Sequence, residues 1–145
     1  MKATPSSLTV PSENYLGKEQ LILRGNKILI IEDDQDMRRG LNVRLRASEY
    51  ETAFASDAVM ALSIAKKEAP DLILLDLGLP GGGGFVVLER LKNIASLACT
   101  PVIIVSALDP KLHEKRALDA GAEAFFQKPV NNEQLMGAIQ RALLK

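Results

Sequence analysis

The stretch Asp71-Leu72-Ile73-Leu74-Leu75-Asp76-Leu77-Gly78-Leu79-Pro80 decides the fold. Its middle is an unbroken aliphatic run, with Pro70 before it and Pro80-Gly81 after it. Such a run between turn residues predicts a central strand covered on both faces. The strand stops at Asp76 and the chain turns at once. An Asp in that place either opens the turn or is presented at the carboxyl end of a parallel strand, where open α/β sheets hold their ligands. The rest of the chain decides between the two.

Working outward, the same signal recurs. Residues Lys27 to Ile31 form a first strand, Ile28-Leu29-Ile30-Ile31, that ends in Glu32-Asp33-Asp34. Three adjacent acids repel one another, so water or a divalent cation must offset the charge. An acid just before a helix also caps orphan N–H groups, and Asp34 suits that part. Gln35 to about Ser48 is a helix with Met37, Leu41 and Leu45 on one stripe. Arg38, Arg39, Arg44 and Arg46 are assigned to its solvated side. Glu51 to Ala55 is a second strand. Ser56 or Asp57 caps the helix from Ala58 to about Glu68, whose Ala58, Ala61, Leu62 and Ala65 make a small-residue packing face.

Beyond the central strand stands Gly81-Gly82-Gly83-Gly84. A phosphate-binding loop needs spaced glycines closing on Gly-Lys-Ser/Thr, and here Phe85 follows. The run therefore predicts a mobile loop in which positive φ is available. Phe85 to Asn93 is a helix with Val87, Leu88, Leu91 and Ile94 inward. Pro101 to Val105 is a fourth strand stopping at Ser106-Ala107. Asp109-Pro110 starts a helix that reaches about Ala120, with Gly121 at its C′ position. Ala124-Phe125-Phe126 is a fifth strand, ending at Gln127-Lys128-Pro129. Asn131 caps the last helix, Asn132 to Leu144, with Gln134 placed to close a capping box. Five strands alternating with five helices predict an α/β, doubly wound parallel sheet.

The totals agree with one such domain. The chain has 145 residues, 47% apolar and 25% charged, enough for a sizeable core. Residues 1–26 open with Pro5, Ser6, Ser7, Thr9, Pro11, Ser12 and Asn14 and read as a flexible N-terminal extension, in which Tyr15 to Leu23 is the more apolar part. Residues 27–145 form the domain. Lys and Arg number 18, as do Asp and Glu, which argues against a nonspecific nucleic-acid binder. One cysteine, Cys99, and one histidine, His113, exclude an internal disulfide and a thiolate or imidazole metal site. Any metal would be hard and oxygen-ligated. No apolar stretch is long enough to span a membrane and no signal-peptide layout opens the chain, so a cytoplasmic protein is expected.

The strand ends bring unlike groups to one sheet edge. They are Glu32 and Asp33 after strand one, Asp76 after strand three, Ser106 after strand four and Lys128 after strand five. Carboxylates that hold Mg²⁺, an ammonium and a hydroxyl are the parts of a phosphoryl-transfer site built around a carboxylate. Cys99 and His113 lie outside the set, so a carboxylate must be the nucleophile.

From about Lys27 to Lys145 the chain resembles the receiver domain of two-component response regulators. The matching pieces are Ile-Leu-Ile-Ile-Glu-Asp-Asp at 28–34, Asp-Leu-Gly-Leu-Pro-Gly-Gly-Gly-Gly at 76–84, Pro-Val-Ile-Ile-Val-Ser-Ala at 101–107 and Ala-Gly-Ala-Glu-Ala-Phe-Phe-Gln-Lys-Pro at 120–129. The resemblance implies a flavodoxin-like sheet of order 2-1-3-4-5, with Asp33 and Asp76 at its topological switch point. It implies Asp76 as phosphoacceptor and Asp33 as direct Mg²⁺ ligand. Glu32 acts through water, and the Gly78 carbonyl is a further ligand. Ser106 and Lys128 meet the phosphoryl group, Phe125 is the switch aromatic, and the Lys128-Pro129 bond is cis. A histidine kinase or phosphotransfer protein would donate the phosphoryl group. The face of the fourth helix, fifth strand and fifth helix, with Leu112, Arg116 and Phe125, would change its binding or form a homodimer. On this reading the chain is a signalling domain that catalyses only its own phosphorylation and dephosphorylation, and itself binds neither nucleic acid nor membrane.

The chain departs from the family where Gly82-Gly83-Gly84 replaces a common Met-Asp-Gly, and in having Gly78 and Leu108 beside the approach to the phosphoryl group. Two rivals remain. A dehalogenase-like phosphohydrolase would need Asp-x-Asp after its first strand, and position 78 is Gly. A receiver-like module that is never phosphorylated would not need every chemical position filled.

Overall fold

The computed structural model describes residues 26–80 and 83–145. The expected extension at residues 1–26 falls outside the described residues, apart from Asn26, and so do Gly81 and Gly82. In chain order the elements are β1 (Lys27–Ile31), α1 (Gln35–Ala47), β2 (Glu51–Ala55), α2 (Ala58–Glu68), β3 (Leu72–Leu75), α3 (Gly84–Asn93), β4 (Val102–Ser106), α4 (Pro110–Asp119), β5 (Ala124–Gln127) and α5 (Asn132–Leu143). The strands form one sheet in the order β2-β1-β3-β4-β5, and every neighbouring pair is parallel.

The aliphatic runs explain the layering. Side chains alternate across a strand, so Leu29, Ile31, Ile73, Leu75, Val102 and Ile104 face one way. They pack on the alanines of α2 (Ala58, Ala61, Ala65), on Val87, Leu88 and Leu91 of α3, and on Ala117 of α4. Ile28, Ile30, Leu72, Leu74, Ile103 and Val105 face the other way, onto Leu41 and Leu45 of α1 and Leu135, Ala138 and Ile139 of α5. All eight side chains of Ile28–Ile31 and Leu72–Leu75 are essentially inaccessible. Burying each contributes about 2 kcal/mol, and this double-sided burial holds β1 and β3 at the centre.

Element ends differ from expectation by one residue or so. Strand β4 begins at Val102, because Pro101 has no N–H to donate and only its carbonyl joins the ladder, accepting from Ile73 N. It runs on through Ser106, which pairs with Gln127. Asp34, Asp57, Asp109 and Asn131 all cap helices through their side chains. Asn131 accepts from Gln134 N at 2.9 Å, but no return bond runs from the Gln134 side chain, which is exposed. The capping box is therefore half formed. Asn131→Ala should cost about 1 kcal/mol in thermal or urea unfolding, whereas Gln134→Ala should change it by less than about 0.3 kcal/mol. A loss of similar size from Gln134→Ala would mean that the box closes after all.

Helix α3 starts at Gly84, one residue earlier than expected. Gly84 N donates to Leu77 O at 3.0 Å, which presses the helix start against the turn after β3. A Cβ at Gly84 would stand 2.3 Å from Leu77 Cα and 2.5 Å from the Asp76 carbonyl oxygen. Gly83, just before it, has φ +83°. The two described glycines of the run thus meet two separate needs, a left-handed backbone and a close approach.

Candidate functional site

The chain leaves β1 toward β2 on one side, while β3 lies on the other, so a crevice opens between the carboxyl ends of β1 and β3. The last ladder bonds fix its walls. Glu32 N donates to Ala55 O at 3.0 Å, and Asp76 N donates to Ile31 O at 3.0 Å. Glu32 and Asp76 are thereby placed side by side, 2% and 7% exposed. Asp33 is exposed. An oxygen from each of Glu32, Asp33 and Asp76 lies within 4.8 Å of the others.

Lys128 closes the site from β5. Its backbone N donates to Ser106 O at 2.8 Å, and the Lys128–Pro129 bond that follows is cis. Its Nζ lies 2.7 Å from Glu32 Oε1 and 3.4 Å from Asp76 Oδ2. Ser106 is fully buried at the end of β4, and its Oγ accepts from Leu108 N at 3.2 Å. Gly78 N donates to Asp76 Oδ1 at 3.0 Å. A Cβ at Gly78 would meet that same oxygen at 3.6 Å, so a side chain at this position would stand beside the carboxylate. Phe125, on β5, is half-buried against the core.

The charges are unevenly matched. Three carboxylates stand together, and the one ammonium among them, Lys128, reaches only Glu32 and Asp76. Burial pushes the Glu32 carboxyl above its ordinary range; the bonds from Lys128 and from Asp34 N oppose this, and repulsion from Asp76 adds to it. Burial pulls the Lys128 ammonium down, but its contacts with Glu32 and Asp76 outweigh that and leave it raised. Excess negative charge, oxygen donors only and close spacing fit a hard divalent cation.

Glu32, Asp33, Asp76, Gly78, Ser106 and Lys128 stand at this one edge, whereas Phe125 lies inside β5, paired with Ile104 and packed on the core. Three contacts had no signal in the sequence. Arg38 is half-buried, not solvated, with Nη1 donating to Glu32 O at 2.9 Å and its guanidinium 5.9 Å from the Phe54 ring centre. Arg116 of α4 stacks on Phe85 of α3 at 3.8 Å, and His113 tilts toward the same ring at 6.1 Å. Gly84 touches the backbone of the Asp76 turn. Spacing places residues on helix faces, but it does not say which long side chain folds back onto a loop.

Comparison with known proteins gives one answer. A family model described as the response regulator receiver domain matches residues 28–140. The response regulator PleD of Caulobacter vibrioides is 34% identical over 114 residues, which is 79% of this chain and 25% of that protein. The KDP operon transcriptional regulatory protein KdpE of Escherichia coli is 35% identical over 116 residues, 80% of this chain and 50% of that protein. The chain thus spans half or less of these curated relatives. Among solved structures, the receiver domain of a signal transduction histidine kinase from Syntrophus aciditrophicus superposes with a TM-score of 0.75 at 28% identity, covering 82% of this chain and 90% of that one.

Proposed function

The chain belongs to the response regulator receiver domain family, and from that premise we propose that Asp76 is its phosphoacceptor. The observation that carries this is the contact of one ammonium, Lys128 Nζ, with both Glu32 and Asp76 at the switch point of the sheet. An Asp76 carboxylate oxygen attacks the phosphorus of a phosphohistidine on a histidine kinase or phosphotransfer protein. The O–P bond forms, the P–N bond breaks, and the imidazole nitrogen keeps the electron pair. Glu32, Asp33, Asp76 and the Gly78 carbonyl are the groups that would hold Mg²⁺, whose charge would offset that of the phosphoryl oxygens.

The rest is the work of side chains. Gly78 N–H holds Asp76 Oδ1, leaving Oδ2 toward Lys128. Lys128 neutralises charge on the transferred group, and the Ser106 hydroxyl donates to it after leaving Leu108 N. That movement frees space for Phe125 to turn inward, and the face of α4, β5 and α5 is remodelled for a partner or a second copy. Leu112, 74% exposed on α4, supplies apolar surface for such an interface. Gly78 offers no carboxylate for a general acid, which disfavours turnover of an external phosphate ester. Among the described residues, no helix is long and apolar enough to cross a membrane.

The test is intact mass after incubation with acetyl phosphate and Mg²⁺. Wild type should gain one phosphoryl group and Asp76→Asn none. An adduct that persists on Asp76→Asn, or no adduct on wild type from either acetyl phosphate or a phosphorylated histidine kinase, would overturn the assignment.

A further inference from the structure

We infer that Arg38 is a positioning residue for the metal-binding loop, aiming the Asp33 carboxylate by holding the Glu32 carbonyl; this rests on the phosphoacceptor reading above. Glu32 is the turning point of that loop. Its N–H makes the last bond to β2, at Ala55 O, and its side chain turns inward to Lys128. Its carbonyl belongs to the Glu32–Asp33 peptide, so the orientation of that carbonyl sets the direction in which Asp33 leaves the loop. Arg38 Nη1 donates to that oxygen at 2.9 Å.

The arginine is itself anchored. Its backbone N donates to Asp34 O at 3.0 Å, in the first turn of α1, whose cap is the Asp34 side chain. Its guanidinium lies over Phe54 of the edge strand β2. The Glu32–Asp33 peptide is therefore tied to α1 and to β2 at once. Charge points the same way. Lys128 serves Glu32 and Asp76, whereas no described Lys or Arg nitrogen lies within 4 Å of the Asp33 carboxylate. Asp33 is exposed, so its aim rests on the backbone that carries it. Groups that orient ligands in this way commonly change metal affinity by ten- to a hundredfold.

Calorimetric Mg²⁺ titration of the folded proteins tests this, together with the Mg²⁺ dependence of phosphorylation by acetyl phosphate. Arg38→Met keeps an unbranched apolar stem and removes the donor. It should raise the Mg²⁺ dissociation constant about tenfold, and raise the half-saturating Mg²⁺ for phosphorylation equally, with the rate at saturating Mg²⁺ within about twofold of wild type. Phe54→Leu, which removes only the anchor, should shift both in the same direction by less. A role confined to stability would lower the melting temperature and leave the dissociation constant of the folded protein unchanged; that result overturns the inference. Wild type that binds Mg²⁺ and is phosphorylated keeps the phosphoacceptor reading intact in that case. Wild type that does neither removes both.

Discussion

Gly84→Ala should destabilise the domain by about 3 kcal/mol in urea unfolding and reduce phosphorylation of Asp76 well beyond what that loss of stability explains. The added methyl carbon would lie 2.3 Å from Leu77 Cα and 2.5 Å from the Asp76 carbonyl oxygen. Both are backbone atoms, so no side-chain rotation relieves the clash. Either the start of α3 withdraws, breaking the Gly84 N to Leu77 O bond, or the turn after β3 shifts and carries Asp76 away from Lys128. Gly40→Ala is the matched control. Gly40 lies inside α1 with nothing within 4 Å of a Cβ, and should gain up to about 1 kcal/mol from helix propensity. An unfolding midpoint for Gly84→Ala near that of wild type would show that the approach of α3 is not tight in solution.

The same residue shows where sequence reading stops. The strands were legible because burial on both faces writes itself as unbroken aliphatic runs, Ile28–Ile31 and Leu72–Leu75 among them. The edge holding the candidate site was legible because parallel strands must all end on one side. Glu32, Asp33, Asp76, Ser106 and Lys128 therefore meet once the alternation of elements is recognised. Local chemistry placed the caps at Asp34, Asp109 and Asn131 and left the cap of α2 between Ser56 and Asp57, of which Asp57 is the one that caps. Long-range approach was not legible. Gly84 read as one of four flexible glycines, while its actual constraint comes from Leu77, seven residues back and across a turn. Arg38 read as surface charge and Arg116 as part of the face of α4, β5 and α5, because a helix face fixes where a long side chain begins and leaves open where it ends. Arg38 ends at Glu32 O and Arg116 on Phe85. The latter stack joins the helix that follows the Asp76 turn directly to α4.

Lys128→Met should slow phosphorylation of Asp76 about a hundredfold, read as mass gained against time at saturating Mg²⁺. No other described Lys or Arg nitrogen comes within 4 Å of the Glu32 or Asp76 carboxylate, so no neighbour can take over its charge. The substitution also leaves two buried carboxylates unpaired, costing about 3 kcal/mol of stability at pH 8 in EDTA. That cost should depend on pH. Burial already raises the Glu32 carboxyl in the folded protein, and removing Lys128 removes an opposing interaction and raises it further. A group raised on folding contributes its full stability below its unfolded value, near 4.3 for Glu, and loses it as pH rises through the folded value. The variant should therefore approach wild type as pH falls to the unfolded value and lose stability relative to it as pH rises through the raised folded value. The contribution of Lys128 in wild type, itself raised on folding, persists below its ordinary range and is lost only in strong alkali.

The double variant Lys128→Met/Glu32→Gln separates the two effects. A neutral amide at position 32 removes the charge whose burial is uncompensated, so stability at pH 8 should recover by about 2 kcal/mol, a large part of the unpaired-charge penalty. The phosphorylation rate should stay at or below that of Lys128→Met, because neither change restores a cation beside the phosphoryl oxygens. Recovery of rate together with stability would place the importance of Lys128 in folding alone. Recovery of stability without rate assigns it both tasks: compensating Glu32 and Asp76 at rest, and stabilising the phosphoryl group during transfer. The 2.7 Å contact to Glu32 and the longer 3.4 Å contact to Asp76 agree with that division, since the ammonium sits closer to the acid that the proposed transfer leaves unmodified.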